Sequence, residues 1–309
     1  AGDDQGDPEK AVNAYNDLLD KGMQMLCGTV TSGACIAVGA EAAESTFLFT
    51  PSGTAVDCIT SGSNEFRMCF TDPAQGTKSA EFIGKHKLAT KVAVLYDSSA
   101  DYNSGVNDAF VAAAEDNGLE VVADEAYTAD SNTDFSVQLK KIKDSGADLL
   151  FLPNYYSDNA LILQQAHDAG MDDVKKFGVD GMDGILTLDN FDTALAEDVM
   201  LLTPFTADAE DELTKKFVTT YKEKFGEVPN QFAADGYDCI MSIYEACKAQ
   251  GITADMSASD ICEKLIEQFT SPDFKIDGLT GTQMQWSKTG EVSKPPKGMI
   301  IKNGVYVGM

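Results

Sequence analysis

The sequence predicts an α/β protein built from two doubly wound, Rossmann-like lobes. Three observations lead to this fold class. Short apolar runs alternate with amphipathic helical segments, which is typical of parallel strands covered by helices on both faces. The 309 residues are enough for two cores. Extended segments near residues 70 and 204 predict a multi-strand hinge, with lobe 1 formed by 1–72 and 205–298 and lobe 2 by 73–204 and 299–309.

The composition argues against several classes of function. The chain has 50 acidic and 23 basic residues, and its net charge of −27 argues against binding of nucleic acid or anionic membranes. The seven cysteines and two histidines show no metal-ligand spacing, so we expect no metal, no cofactor and mostly cysteines that pack as small buried hydrophobes. No apolar run reaches membrane-spanning length and no signal peptide is present, so any export signal lies outside these residues.

The first part of the chain contains a helix and two strands that lead into loops. Asp7 is the predicted N-cap of the helix, Pro8 its first residue and Gly22 its end. Strands are predicted over 23–27 and 47–50, and each is followed by a loop of Ser, Thr and Gly. An extended crossing is predicted over 66–70.

The remainder repeats a strand–helix pattern and then becomes mainly helical. Strands are predicted over 92–96, 119–123, 148–152, 176–179 and 199–202, with helices over 104–117, 134–145 and 157–169. Three further helices are predicted over 209–225, 231–249 and 257–269. Short strands follow over 282–286 and 297–307, the second around Asn303-Gly304, a strong hairpin signal.

Two different kinds of polar residue follow the predicted strands. The first half of the chain supplies Thr31, Ser32, Ser52, Gly53 and Thr54, and the second half supplies 97–102, 154–156 and 180–183. Hydroxyl and backbone N–H donors suit a carboxylate, whereas tyrosines and an isolated acid suit an ammonium, so this polarity fits an α-amino acid. The alternative is structural: both loops are ordinary capped turns, Asp180 before glycine is a turn residue, and the tyrosines shield the end of the sheet.

Catalytic motifs are absent from the sequence. His86 lies among lysines and His167 on a polar helix face, so we interpret both as solvated. There is no nucleophile elbow, no dinucleotide-binding glycine pattern and no phosphate-binding loop. The sequence therefore favours a binding protein over an enzyme.

Several short motifs in a fixed order carry a family resemblance. They are Asp-Asp-x-x-Asp-Pro at 3–8, Gly-Thr-Val-Thr-Ser at 28–32, Thr-Pro-Ser-Gly-Thr-Ala at 50–55, Asp-Tyr-Asn-Ser-Gly at 101–105, Gly-Val-Asp-Gly at 178–181, Gln-Phe-Ala-Ala-Asp-Gly-Tyr-Asp at 231–238 and the closing Trp-x-x-x-Gly. Over essentially its whole length, the chain resembles the branched-chain amino-acid-binding proteins of ABC importers, which have the type I periplasmic-binding-protein fold.

The resemblance implies a ligand set and partners. Ser32, Ser52 and Thr54 would hold the ligand carboxylate, and Tyr155 and Asp180 its ammonium. Tyr102 would close over the ligand from the second lobe, and Phe232 would line the side-chain pocket near the hinge. Such a protein would be a periplasmic or extracellular monomer, free or lipid-anchored, that closes on an amino acid and presents it to a membrane permease.

The chain also departs from this family. Members commonly have Glu where Asp180 stands, and Gly6 replaces a cysteine that forms a disulfide in some of them. The resemblance implies a strand–helix–strand before Ala1, and we expect roughly 40–60 further residues there or from another chain. The Glu44-Ser45-Thr46 connection is expected to be short by a few residues. The rival functions are an amino-acid or amide sensor of the same fold and a nucleotide-dependent α/β enzyme.

Overall fold

The computed structural model describes residues 1–42, 46–294 and 296–309, so most of the connection expected to be short, at Glu44 and Ser45, lies outside it. The contacts divide the chain into two compact units, which are called unit 1 (1–71 and 220–295) and unit 2 (72–219 and 296–309). The predicted lobes differ from these units chiefly at 205–219, which belong to unit 2. One reason is that the Phe205 ring packs edge-on against Phe217, with 6.0 Å between centroids.

The helices and strands are numbered in chain order. The α-helices are α1 Pro8–Asp20, α2 Ser32–Glu41, α3 Asp72–Lys85, α4 Asp101–Ala114, α5 Ser136–Ser145, α6 Tyr156–Asp168, α7 Glu212–Phe225, α8 Gln231–Gln250 and α9 Ala258–Phe269. The strands are β1 Met25–Cys27, β2 Phe47–Thr50, β3 Glu65–Arg67, β4 Lys91–Asp97, β5 Glu120–Tyr127, β6 Leu149–Leu152, β7 Lys175–Gly178, β8 Met200–Thr203, β9 Lys297–Lys302 and β10 Val305–Gly308.

Unit 1 is organised around a parallel sheet with the order β1-β2-β3 in the described residues. All four residues of β2 are buried, as expected for a strand covered on both faces. Phe47 and Phe49 pack with residues of α8 and α9, whereas Leu48 packs with residues of α1 and α2. The alternation of side chains along β2 therefore separates two apolar layers.

The unit 1 predictions are confirmed for α1 and β2, and the crossing predicted at 66–70 lies next to the point where the chain leaves unit 1, after Thr71. The Asp7 carboxylate caps α1 by accepting from the Lys10 N–H (2.9 Å), and Pro8 is the first residue of the helix. The β2 bounds match the predicted ones. Residues 65–67, at the start of this segment, form β3, because their backbone pairs in parallel with β2.

Unit 2 contains a sheet with the order β10-β9-β8-β7-β6-β4-β5. Strands β4 to β8 are parallel, and the predicted hairpin around Asn303-Gly304 adds β9 and β10 as antiparallel strands. The chain moves from β4 outward to β5 and then returns to place β6 on the other side of β4. The carboxyl ends of β4 and β6 therefore form a topological switch point, where ligands bind in open α/β sheets.

Sequence analysis missed α3, the helix that packs against α4 in unit 2. Its sequence contains two glycines and several small polar residues, so its apolar periodicity is weak. Gly76 explains part of this composition, because a Cβ there would lie 2.3 Å from the Val106 carbonyl oxygen of α4. The close approach of the two helix backbones requires glycine at this position.

Three further observations on the described chain bear on the sequence predictions. Residues 282–286 do not form a strand; the structure has only isolated antiparallel bridges, Ile276 with Met284 and Trp286 with Val292. Cys35, Cys58, Cys69, Cys239 and Cys262 are buried and none of the seven cysteines is in a disulfide, so the prediction of mostly buried cysteines is confirmed. Among the described residues, no helix is both long and apolar enough to cross a bilayer.

Candidate functional site

The predicted site residues of unit 1 are brought together by hydrogen bonds between two loops. Ser32, the first residue of α2, is 1% exposed, and its Oγ accepts from the N–H groups of Thr54 (3.2 Å) and Ala55 (3.1 Å). The Ser52 hydroxyl donates to the Val30 carbonyl (2.8 Å). Ser32, Ser52 and Thr54 therefore lie in one substructure, termed the donor loops (29–32 and 50–56).

The donor loops also contain hydroxyl groups suited to an anion. The side-chain oxygens of Thr29 and Thr31 are buried and make no hydrogen bond within the described structure. Thr31 is the N-cap of α2, so its hydroxyl lies at the end of a helix where partial positive charge favours an anion. A ligand carboxylate would accept hydrogen bonds from these hydroxyl groups.

Arg67 fixes the shape of the second donor loop and was missed by sequence analysis. Its guanidinium donates to the carbonyls of Gly53 (3.1 Å), Thr54 (2.8 Å) and Val56 (3.0 Å), and the residue is fully buried. Three accepting carbonyls turned towards one cation fix the path of the loop, whose N–H groups at Gly53, Thr54 and Ala55 donate to the hydroxyl oxygens of Thr50 and Ser32. A signal was present in the sequence: Arg67 is the only arginine in the chain.

The segment 286–291 makes further contacts with Arg67. The Trp286 indole donates to the Arg67 carbonyl (2.9 Å), and the Arg67 N–H donates to the Gly290 carbonyl (3.1 Å). The Glu291 carboxylate lies 3.4 Å from Arg67 Nε. Burial raises the pKa of Glu291, and Arg67 opposes this shift. The Trp-x-x-x-Gly motif thus supports the donor loops through a single arginine.

In unit 2 the predicted residues surround a buried carboxylate. Asp180 follows β7 and is 4% exposed. Its Oδ1 accepts from the Tyr102 hydroxyl (2.7 Å) and from the Gly181 N–H (2.7 Å). A Cβ at Gly181 would lie 2.5 Å from the Tyr102 hydroxyl, so glycine is required for this approach. This arrangement is termed the carboxylate cradle (Tyr102, Tyr155, Asp180 and Gly181).

Tyr102 and Tyr155 form one wall of the carboxylate cradle. Their rings are stacked, with centroids 4.8 Å apart and an interplanar angle of 24°. Tyr102 begins α4 after β4 and Tyr155 precedes α6 after β6, so both lie at the switch point of the sheet. Burial and then the Asp180 charge raise the pKa of Tyr102, which therefore stays a neutral hydrogen-bond donor.

Two buried amides support the carboxylate cradle. The Gln75 side-chain oxygen accepts from the Asp180 N–H (3.1 Å), which ties α3 to the end of β7. The Asn154 side chain accepts from the Asp97 N–H (3.1 Å) and donates to the Leu95 carbonyl (2.8 Å) and to Asn159 (3.2 Å). These amides fix the strand ends; sequence analysis placed Asn154 after its strand but did not identify Gln75, which lies on the missed helix α3.

The other candidate residues have simpler environments. Phe232 is half-buried in the first turn of α8, in unit 1. His86 is exposed and stacks on Phe82, and exposed His167 lies 2.8 Å from Asp172, so the interpretation of both histidines as solvated is confirmed. The Asp97 carboxylate accepts from the N–H and hydroxyl of Ser99, so it caps a turn. No group of three metal-ligating side chains occurs in the described chain.

Comparison with known proteins identifies the family of the chain. A family model described as "Periplasmic binding protein" matches residues 1–299. The chain belongs to this family. It is also similar to the Leu/Ile/Val-binding protein homolog 3 of Brucella melitensis, with 34% identity over 171 residues, which are 55% of this chain and 46% of that protein. The match thus spans less than half the length of that relative.

Solved structures show the same fold. The leucine binding protein LivK of Thermotoga maritima is 27% identical with a TM-score of 0.86, over 99% of this chain and 85% of that one. The substrate-binding protein LivJ of Streptococcus pneumoniae, solved with isoleucine, is 25% identical with a TM-score of 0.86, over 98% and 84%. The chain has the type I periplasmic-binding-protein fold, and these relatives are solute-binding proteins rather than enzymes.

Proposed function

We propose that the protein captures a branched-chain amino acid outside the cytoplasm and delivers it to the permease of an ABC importer. The observation that carries the proposal is the contrast between the donor loops and the carboxylate cradle. One offers neutral donors for a ligand carboxylate, and the other offers a buried negative charge for an ammonium. The named ligands of the relatives, leucine, isoleucine and valine, have both groups and an apolar side chain.

The proposal assigns each predicted residue a role. Ser32, Ser52 and Thr54 hold the carboxylate. Asp180 and Tyr155 hold the ammonium, and Tyr102 keeps Asp180 in place by donating to it. A ligand that lacks the ammonium would leave Asp180 as a buried charge without its cation, which costs binding energy.

A sensor with the same ligand is the alternative function. Both functions need amino-acid binding, so the distinction lies in the partner. Delivery predicts that the protein, as a free or lipid-anchored monomer, stimulates uptake by a permease in the membrane. A sensor would bind the same amino acid without stimulating uptake.

The binding test uses ligands from which one charged group has been removed. Calorimetry should show tight binding of L-leucine, L-isoleucine or L-valine, and at a hundredfold excess over Kd the bound state gains roughly 2.7 kcal/mol of stability. Isocaproate lacks the ammonium and isopentylamine lacks the carboxylate, and each should bind at least about a hundredfold more weakly. Equal binding of L-leucine and isocaproate would refute the role of Asp180, and the absence of binding by all three amino acids would refute the proposed ligand class.

A further inference from the structure

Two cysteines lie beneath the donor loops. Cys35 is on α2, three residues after Ser32, and Cys58 is in the short 3-10 helix Val56–Ile59 that follows the second loop. Their exposed fractions are 8% and 2%. Both belong to a small apolar cluster that also contains Ala55 and Ile59. Each cysteine is therefore within a few residues of a loop that forms the candidate site.

Each thiol donates to a backbone carbonyl of the segment that carries the other thiol. The Cys35 thiol donates to the Cys58 carbonyl (3.4 Å), and the Cys58 thiol donates to the Ser32 carbonyl (3.7 Å). The two thiols thus lie between the same two segments, without a covalent bond between them.

The environment distinguishes the two sulfur atoms. Hydrogen bonding from Cys58 lowers the pKa of the Cys35 thiol, with Thr50, Thr29 and the Arg67 charge acting in the same direction and burial acting against it. The same contact, together with burial, raises the pKa of Cys58. Because the thiolate is the nucleophilic form, these directions favour Cys35 as the attacking sulfur and Cys58 as the resolving one.

We propose that Cys35 and Cys58 are a peroxide-sensitive thiol pair whose oxidation covalently joins the two donor loops. The Cys35 thiolate attacks the O–O bond of hydrogen peroxide, forming a sulfenic acid and releasing hydroxide, which takes up a proton to become water. The Cys58 sulfur then attacks the sulfenic sulfur, and the second oxygen leaves as water. Two thiols and one peroxide thus give one disulfide and two waters.

The burial of the pair selects a small oxidant. Neither sulfur is exposed enough for a bulky disulfide to align behind it, as thiol–disulfide exchange requires. Cys35 and Cys58 line an internal cavity of about 10 Å³ together with Thr29 and Glu65, which is about the space of one water molecule. Hydrogen peroxide is the smallest common two-electron oxidant, so it should react where glutathione disulfide does not.

The test uses the full chain, folded and fully reduced, without any ligand. After hydrogen peroxide, peptide mapping of the alkylated protein should find Cys35 linked to Cys58, and it distinguishes this link from oxidation of the exposed Cys27. Glutathione disulfide should leave the pair reduced. The cross-link shortens the unfolded chain, so the melting temperature should rise by roughly 5–10 °C. Because the readout is covalent, it is independent of which ligand the donor loops bind.

Matched variants identify the pair. Cys35→Ser and Cys58→Ser should each abolish the linked peptide, whereas Cys69→Ser should retain it, although Cys69 also lies beneath the loop and donates to the Gly53 carbonyl (3.3 Å). A disulfide from Cys69 to either cysteine would overturn the assignment, as would retention of all seven thiols. If a serine variant does not fold, mapping of the wild-type linkage alone decides the question.

Discussion

The donor loops of unit 1 and the carboxylate cradle of unit 2 are built in different ways. In the donor loops, side-chain hydroxyls bond to backbone groups of the other loop, as with Ser52 and the Val30 carbonyl. In the carboxylate cradle, one charged side chain is held by a tyrosine and a backbone N–H. The loops therefore depend on the path of the main chain, and the cradle depends on a single carboxylate.

This difference predicts how binding and stability respond to mutation. A residue that shapes the donor loops also holds unit 1 together, so its loss should lower both affinity and stability. Asparagine in place of Asp180 keeps an oxygen that accepts from Tyr102 and Gly181, so the fold keeps its hydrogen bonds while the charge is lost. Binding and stability should thus change together in unit 1 and separately at Asp180.

The largest effect is expected for Arg67→Met, which removes the cation beneath the second donor loop. Three buried carbonyls and Glu291 lose their partner, so the free energy of unfolding of unit 1 should fall by about 3–5 kcal/mol. Trp286, the only tryptophan of the chain, lies in unit 1 and reports this unfolding by fluorescence during denaturation.

The matched control for Arg67 is Lys78→Met. Lys78 also pairs with a glutamate, Glu81, but both side chains are about half exposed, and such pairs contribute little. Its unfolding free energy should stay within about 0.5 kcal/mol of wild type. A loss below about 1 kcal/mol for Arg67→Met would show that the donor loops do not depend on this arginine.

The next effect is expected for Asp180→Asn. In the proposed site the Asp180 charge pairs with the ligand ammonium, so removing it should cost roughly 2–5 kcal/mol of binding and leave the unliganded stability nearly unchanged. Calorimetry with L-leucine measures the first quantity and denaturation the second. Asp183→Asn is the control, since Asp183 is also buried in this segment, and its affinity should stay within about threefold of wild type. An Asp180→Asn affinity within the same range would remove Asp180 from the site.

The sequence predicted the helices and strands that have a clear local pattern. It missed those that form because of contacts with distant parts of the chain. The β2 strand was placed correctly because four consecutive buried residues are flanked by clear loop residues. The α3 helix was missed because Gly76 weakens its helical sequence pattern. The reason for this glycine is the close packing of α4, which the local sequence does not show. For β3, the short segment 65–67 has no distinctive pattern of its own, and only pairing with β2 makes it a strand.

The candidate site shows the same division. The sequence placed Ser32, Ser52 and Thr54 after strands of unit 1 and Asp180 after β7, and the structure brings the first three together. It did not indicate that Tyr102 donates to Asp180, because the two lie 78 residues apart. Their joint role in binding stays a prediction, as does the role of Phe232.

A smaller effect on binding is expected for Tyr102→Phe, which keeps the stacked ring and removes the hydroxyl that orients Asp180. A hydrogen bond to a charged group contributes about 1.5–3 kcal/mol, and part of this should appear as lost L-leucine affinity. Tyr96→Phe is the control, because Tyr96 is a half-buried tyrosine of β4 outside the carboxylate cradle. An affinity equal to wild type would show that Asp180 needs no orientation by Tyr102.

The same variant has a pH signature. The pKa of Tyr102 is raised above the ordinary 10.0, so the native state binds this proton more tightly than the unfolded state. The corresponding stability is fully present below pH 10.0 and is lost as the pH rises through the native pKa. The difference in unfolding free energy between wild type and Tyr102→Phe should therefore shrink above about pH 10. A difference that stays constant would contradict the raised pKa.

The smallest effect is expected for Ser52→Ala, and it tests the comparison most directly. The variant removes one neutral hydrogen bond, from the Ser52 hydroxyl to the Val30 carbonyl, which contributes about 0.5–1.5 kcal/mol. Because this bond joins the two donor loops, stability and L-leucine affinity should fall together, each by about that amount. Thr60→Ala is the control, since its exposed hydroxyl donates only to the nearby Asp57 carbonyl (3.3 Å). If Ser52→Ala weakened binding without loss of stability, the hydroxyl would act on the ligand alone, and the donor loops would resemble the carboxylate cradle after all.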